Sequence, residues 1–403
     1  VNLTLLLDLD DTLLHNHVDE FLPAYLKLLS GELAPYALPD VMVPQLLSAT
    51  RIMAENLRPD CTLKQIFDAA FYPALGLAAE DLQDVLKRFY EEKFPSLQSL
   101  TRPKPQAVRL VQAAFERGYR VAIATNPLFP RRAIEHRLAW AGLPVEDYPF
   151  ELVSTYETFH FSKPNPAYYA EILGRLNWPE GGILMVGDDW KRDIQGSSQL
   201  GLATYWLPDG TAPNEGQIQA ATGYGELSHL LDWIDGLPEE KLQPDYDAPN
   251  AMLATMRATP AVLDTLCDEL AAEVWSARPQ PEEWCPTEIL CHLRDVDREV
   301  NLARVNRVLH ENDPFISGRD TDPWADERKY FCQDGPQALH EFTAARLKLL
   351  DLLEAASPQD WERTARHAIL GPTTLQELVR IIAEHDRLHV RQVTQDLFPN
   401  TNY

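Results

Sequence analysis

Four apolar runs in the first half of the chain end in polar residues whose types could do chemistry. Asp8, Asp10 and Asp11 close Leu3-Thr-Leu-Leu-Leu, and Thr125 with Asn126 close Val121-Ala-Ile-Ala124. Lys163 lies just beyond Leu152-Val-Ser154, and Asp188, Asp189 and Asp193 follow Ile183-Leu-Met-Val186. This mixture suits phosphoryl transfer. A carboxylate can attack phosphorus and split one hard displacement into two easier ones. A second carboxylate can protonate the leaving oxygen and later activate water. Charge spread over the phosphoryl oxygens needs cations and hydrogen-bond donors. Mg²⁺ prefers oxygen ligands and keeps some waters, so two or three carboxylates suffice to hold it. One acidic strand end alone is more often a helix cap, and Asp11 is read that way. The functional reading rests on all four groups occurring in order.

A second set lies near the C-terminus. His385 and His389 are four apart, so they share one face of a helix, together with Leu378, Ile382 and Val393. His292 belongs to another inward stripe with Ile289, Val296, Val300 and Ala303. A single histidine on an apolar stripe is usually a satisfied core residue. A pair at i, i+4 plus a third from another helix forms a three-nitrogen site with open positions for water or substrate. Neutral imidazole suits Zn, Ni, Fe or Cu. Asp295 and Asp386 are candidate carboxylate partners of these rings, and Cys291 is read as packing.

These groups need elements to position them. Short unalternating apolar runs read as buried parallel strands. With helical text between them they predict a doubly wound α/β layer, its chemistry at the carboxyl edge. The core is expected over residues 1–14 and 101–235. Residues 15–100 are helical, punctuated by Pro35, Pro39, Pro44, Pro59, Pro73 and Pro95, and form an insertion with its own small core. Within it His15, His17, Asp19 and Glu20 either face the site or face solvent, and Tyr25, Arg51 and Arg58 are substrate-contact candidates by type. The stretch 236–250, GLPEEKLQPDYDAPN, reads as a linker. Residues 251–403 contain no convincing strand. Helices at about 254–275, 286–311, 336–356 and 374–397 predict an all-α four-helix bundle.

Bulk properties narrow the class. A chain of 403 residues is too long for one ordinary core. The formal net charge is −25 and both halves are acidic, which argues against a nucleic-acid groove. Five cysteines, Cys61, Cys267, Cys285, Cys291 and Cys332, form no C-x-x-C pair, as expected in a reducing cytosol. No 18-residue apolar run and no charged n-region occur, so neither membrane span nor signal peptide is expected.

Asp8-Leu-Asp10-Asp-Thr-Leu, Ala124-Thr125-Asn126, Lys163-Pro and Gly187-Asp188-x4-Asp193 resemble the four motifs of the haloacid dehalogenase-like (HAD) hydrolases. The resemblance spans about residues 1–235, and the helical insertion sits where these enzymes carry a C1-type cap. It implies a Rossmann-like core, Asp8 as nucleophile and Asp10 as general acid/base. It also implies phosphoryl contacts from Thr125, Asn126 and Lys163, and Mg²⁺ held by Asp8, Asp10 through its carbonyl, and Asp188. Asp193 would support the metal waters or Lys163, and Asp189 is an ambiguous further ligand. Asp10 favours phosphate ester hydrolysis over carbon–halogen cleavage, because dehalogenases of this group lack that carboxylate. The substrate expected is a small phosphorylated metabolite.

Trp284…Glu288-Ile-Leu-Cys-His292-Leu-Arg-Asp, Trp361, Gly371-Pro-Thr-Thr-Leu-Gln-Glu-Leu and His385-Asp-Arg-Leu-His389 resemble the DinB-like four-helix-bundle proteins over about residues 250–400. This implies His292, His385 and His389 as ligands of a divalent transition metal such as Zn or Ni. Asp297 stands where relatives often carry Glu. Some members are thiol-dependent transferases or isomerases, so a metal-dependent activity in the bundle is an alternative centre of function. A docking role, with a homodimer through the bundle, is the non-enzymatic alternative.

Overall fold

The computed structural model describes residues 2–210, 214–268 and 270–397. It divides into two compact units, Val1–Tyr168 with Pro179–Asp245, and Tyr169–Trp178 with Tyr246–Tyr403.

The first unit is built on a six-stranded sheet. Its strands are β1 (Leu3–Leu7), β2 (Arg120–Ile123), β3 (Leu152–Val153), β4 (Gly182–Gly187), β5 (Ala203–Trp206) and β6 (Gly223–Tyr224). Their order is 3-2-1-4-5-6 and every neighbouring pair is parallel. This is the doubly wound arrangement in which ligands bind where the strand order reverses, at the carboxyl edge beside β1. All five residues of β1 are buried, since both its edges are paired and both its faces are covered; that is why its apolar pattern does not alternate. The helix Pro105–Glu116 leads into β2. Pro105 starts it without losing a hydrogen bond, and Gly118, at φ 73°, turns the chain out of it.

The insertion after β1 contains helices Val18–Leu33, Pro39–Ala54, Leu63–Leu75 and Ala79–Arg88. Pro44 and Pro73 do not divide helices as expected. Both lie inside one, where each removes a single backbone hydrogen bond. Phe21, Tyr25, Phe71, Phe89 and Phe94 are buried here, but the separate small core expected for the insertion is corrected: they belong to one apolar cluster that continues into the sheet's core, with Phe94 stacked on Trp140 at 5.5 Å.

The stretch expected as a linker is packed up to Asp245. Leu242 is buried in the first unit's core, its carbonyl accepts from Ile183 N at 2.8 Å, and Asp245 N donates to Gly201 O at 2.9 Å. Prolines and acids dominate that text, but its one large apolar side chain after Pro238 decides the packing.

The second unit has four main helical elements. These are Pro249–Cys267, Pro286–Val296 continuing through a π-helical turn into Leu302–His310, Gly335–Glu354, and Leu375–Leu397. Thr374 and Glu377 cap the last one reciprocally, with Glu377 N donating to Thr374 Oγ1 at 3.2 Å and Thr374 N to Glu377 Oε2 at 2.8 Å. The expectation of no strand here is corrected. Phe315–Ile316, Thr364–His367 and Gly371–Thr374 form a three-stranded sheet. Thr364–His367 alternates exposed and buried residues, a half-buried strand too short to stand out in the sequence. In the core Arg346, fully buried, bonds Asp297 Oδ2 at 2.6 Å and both oxygens of Asp386, Oδ1 at 2.9 Å. No helix among the described residues is long and apolar enough to cross a membrane.

Candidate functional sites

Asp8 follows β1 directly, and its backbone N–H still donates to Val186 O of β4 at 3.0 Å. The strand pairing therefore fixes where its side chain starts. Lys163 Nζ is buried and bridges two carboxylates, Asp8 Oδ1 at 2.8 Å and Asp193 Oδ1 at 2.6 Å. Asp193 reaches this point from a π-helical turn, Trp190–Gln195, after β4, a local irregularity common at functional sites. Gly187 makes room for it, because a Cβ there would lie 2.2 Å from Asp193 Oδ2. Asp188 Oδ1 accepts from Thr12 Oγ1 at 3.3 Å.

Asp8, Asp188 and Asp193 each offer an oxygen, all within 4.8 Å of one another. Burial pushes the Asp8 carboxyl up to about 7, against the pull of Lys163, and burial with the Asp8 charge pushes Asp188 up to about 8. Asp193 moves the same way, again by burial. One ammonium does not balance three carboxylates, two of them buried and Asp188 half-buried, and an all-oxygen donor set of that charge fits a hard divalent cation.

The other expected residues fall into two groups. Thr125 and Asn126 line the same cavity as Asp8 and Lys163, and Asn126 Oδ1 accepts from Lys163 N at 3.2 Å. Asp10 lines it too, but its carboxylate is not in the metal-competent group. Instead Asn16 Nδ2 donates to Asp10 Oδ1 at 2.7 Å and Arg137 Nη1 pairs with Oδ2. Asp189 is a helix cap: its Oδ1 accepts from Lys191 N at 3.0 Å and Arg192 N at 2.8 Å. Asp11 adopts a left-handed conformation, φ 54°, and its Oδ1 accepts from Asn16 N at 3.1 Å.

The cavity above these groups measures about 560 Å³. Tyr25, Phe67, Tyr72, Tyr90, Phe129 and Tyr156 are among its walls, and so are His17 and Asp19. His15, Glu20, Arg51 and Arg58 do not line it; Arg58 pairs with Asp60 at 2.8 Å. Arg137 was not foreseen. It shares the buried face of Arg131–Trp140 with Ala133, Ile134 and Leu138, so an arginine at an inward position was the available signal.

In the second unit His292 Nε2 and His389 Nε2 each lie 3.1 Å from His385 Nε2. That is close to the ~3.4 Å separation of nitrogens around tetrahedral zinc. Burial pushes His292 down to about 3, and burial lowers His385 and His389 too. The rings are thus neutral, the form that binds a metal. His389 Nδ1 meets Gln392 Oε1 at 3.0 Å, which aims its Nε2 inward. The candidate carboxylate partners are engaged elsewhere. Asp295 pairs with Arg294 and Arg328 and accepts from the Tyr330 hydroxyl at 2.8 Å, while Asp386 holds Arg346. Trp284 stacks on His389, rings 6.2 Å apart at 9°.

Comparison with known proteins finds a family match for each half of the chain. Residues 3–201 match the family model of the haloacid dehalogenase-like hydrolases, and residues 255–393 that of the DinB superfamily. The chain joins a HAD-like hydrolase domain to a DinB-superfamily domain. The hydrolase domain is 33% identical over 137 residues to pyrimidine 5′-nucleotidase YjjG of Escherichia coli, covering 32% of this chain and 56% of that protein. It is 30% identical over 135 residues to pyrimidine 5′-nucleotidase PynA of Streptococcus pneumoniae, covering 33% and 54%. A phosphoglycolate phosphatase of Haemophilus influenzae is 27% identical over 203 residues, covering 50% and 84%. The chain thus spans about half the length of the two nucleotidases.

Proposed function

We propose that the hydrolase domain is a Mg²⁺-dependent phosphomonoesterase working through a phospho-Asp8 intermediate. The observation that carries this is the bridge from Lys163 to Asp8 and Asp193 on the floor of the cavity. In the first step an Asp8 oxygen bonds to phosphorus and the phosphorus–leaving-oxygen bond breaks. Asp10 gives its proton to that oxygen. In the second step Asp10 takes a proton from water, the water oxygen bonds to phosphorus, and Asp8 is released with inorganic phosphate. Lys163 orients Asp8 through Oδ1, and Asn126 and Thr125 donate to phosphoryl oxygens. Arg137 and Asn16 hold Asp10 until substrate arrives. Asp8, Asp188 and Asp193 would hold Mg²⁺ or its waters, which would supply charge neutralisation on the phosphoryl group.

The aromatic walls favour a leaving group with a flat apolar face. The nucleotidase names of two relatives support a nucleoside monophosphate over a phosphorylated small acid. Mg²⁺-dependent turnover of nucleoside monophosphates, phosphoserine and phosphoglycolate tests this, with nucleotides expected to be preferred. Asp8→Asn is expected to lower turnover by at least about a thousandfold. Equal turnover by that variant would remove the phospho-aspartate reading.

For the DinB domain we infer a transition metal on His292, His385 and His389, supported by their convergent neutral Nε2 atoms. Zn or Ni fits three imidazoles better than Mg²⁺ does. The metal would supply Lewis acidity; the chain's own part is to fix three nitrogens and leave a position open.

A further inference from the structure

Beside the histidine cluster, the DinB domain has a cavity of about 290 Å³ that the chemistry above does not use. His385 forms part of its wall. Most of the lining is aliphatic, including Val296, Val305, Leu378 and Ile382. The charged groups are of one sign: Arg304 and Arg319 line it, and among the described residues no aspartate or glutamate does. That is unusual in a chain with formal net charge −25.

His367, 8% exposed, adds a donor whose direction is fixed. Its Nδ1 accepts from the backbone N–H groups of Ile369 and Leu370, both at 3.3 Å. A ring nitrogen that accepts carries no proton, so the neutral ring carries its proton on Nε2. Burial and the charge of Arg304 both lower its pKa and keep the ring neutral. Nε2 has no hydrogen-bond partner among the described residues and is closed to solvent, while the ring lines the cavity, so a small shift of that wall would bring Nε2 to an acceptor there. Leaving a buried donor unpaired costs about 1–3 kcal/mol, so a group kept this way calls for an acceptor. Arg304 is half-buried, donates to Ser317 O at 3.2 Å and makes no ion pair among the described residues. Arg319 is drawn off by Glu299 at 3.8 Å and by the Trp324 ring.

We propose that this cavity binds a small apolar carboxylate. Arg304 and His367 Nε2–H hold the carboxylate, and the apolar body lies against Val296, Leu378 and Ile382, next to His385. One guanidinium and one neutral donor match a monoanion, and the aliphatic walls offer little to a phosphate dianion. This inference is independent of the hydrolase reading.

Calorimetric titration of the full-length protein with phenylacetate and with its neutral isostere phenylacetamide tests it. Phenylacetate is expected to saturate one site about tenfold or more tighter than the amide, a difference of about 1.4 kcal/mol. Arg304→Met is expected to lose that advantage and to leave the amide unchanged. Equal affinities for the two probes, or no saturation by either, would overturn the proposal. It also falls if phenylacetate affinity follows bound metal and ignores Arg304→Met, for then the carboxylate is only a metal ligand. Should Arg304→Met not fold, Arg304→Lys carries the test. That variant keeps the charge without the fork, so phenylacetate should bind severalfold more weakly, and unchanged affinity would count against the site.

Discussion

In the hydrolase domain the metal-competent cluster is three carboxylates around one lysine, Asp8, Asp188 and Asp193 with Lys163. In the DinB domain it is three imidazoles, and the nearby cation, Arg346, is already held by Asp297 and Asp386. Burial drives both clusters toward their neutral forms. The consequences are opposite. A neutral carboxyl has a proton where a cation should be, whereas a neutral imidazole has its lone pair ready. The same desolvation thus makes one site depend on a cation arriving and leaves the other prepared in advance. Their donors differ in the same sense, hard oxygen against borderline nitrogen, so the two sites should not compete for one metal.

The largest effect expected from this contrast is at His389. His389→Ala removes one of three ligands and should weaken transition-metal binding by more than about a hundredfold, exceeding the 10–100-fold cost of an outer partner. Elemental analysis of purified protein checks it, with Asp188→Asn as the contrasting variant. Asp188→Asn should lose Mg²⁺ binding and keep the transition metal. If both variants lose both metals, the two sites are not separable and the comparison fails.

A smaller effect separates the two buried cations. Arg346→Met strands Asp297 and Asp386 in the bundle core, and should cost about 3–5 kcal/mol in chemical denaturation. Lys163→Met strands Asp8 and Asp193, but there a divalent cation can take over the lysine's charge. Mg²⁺ is therefore expected to recover part of the stability lost by Lys163→Met and none of that lost by Arg346→Met. Equal recovery of both would show that Mg²⁺ acts elsewhere.

The sequence displayed the two sites unequally, for physical reasons. Asp8, Thr125 and Asp188 were legible because each ends a strand buried on both faces, whose unbroken apolar run marks the boundary. Asp189 could not be told from a ligand, since two adjacent aspartates differ only in which way the π-helical turn points them. Arg137 lay on an inward helical face, but periodicity says nothing about what a buried arginine touches. In the bundle, spacing put His385 and His389 on one helix face, but the wider DinB-like pattern was needed to join His292 to them, as the converging rings do. The small sheet that brings His367 to the cavity was not, because its strands are two to four residues long and one begins Gly371-Pro372. The packed stretch before Asp245 was hidden by its own prolines, since composition weighs every residue while packing there turns on Leu242.

The finest test of the contrast is pH. Asp8 is raised to about 7 and Asp188 to about 8, above the ~3.9 of an unfolded aspartate. Between about pH 4 and 8 the metal-free folded protein therefore holds protons that the unfolded chain has released. Its stability from these groups is largest at the acid end and is lost as pH rises through the window. Mg²⁺ must displace those protons, so its affinity should rise about tenfold per pH unit for one displaced proton between pH 6 and 7, and level off above about 8. His292 is shifted the other way, down to about 3. Its ring is already unprotonated across that range, so transition-metal affinity of the folded protein should stay flat from pH 6 to 8. Calorimetric titrations of both metals at three pH values decide the matter. A Mg²⁺ affinity as flat as that of the transition metal would mean that Lys163 already keeps the carboxylates ionised, and that burial does not set the two sites apart.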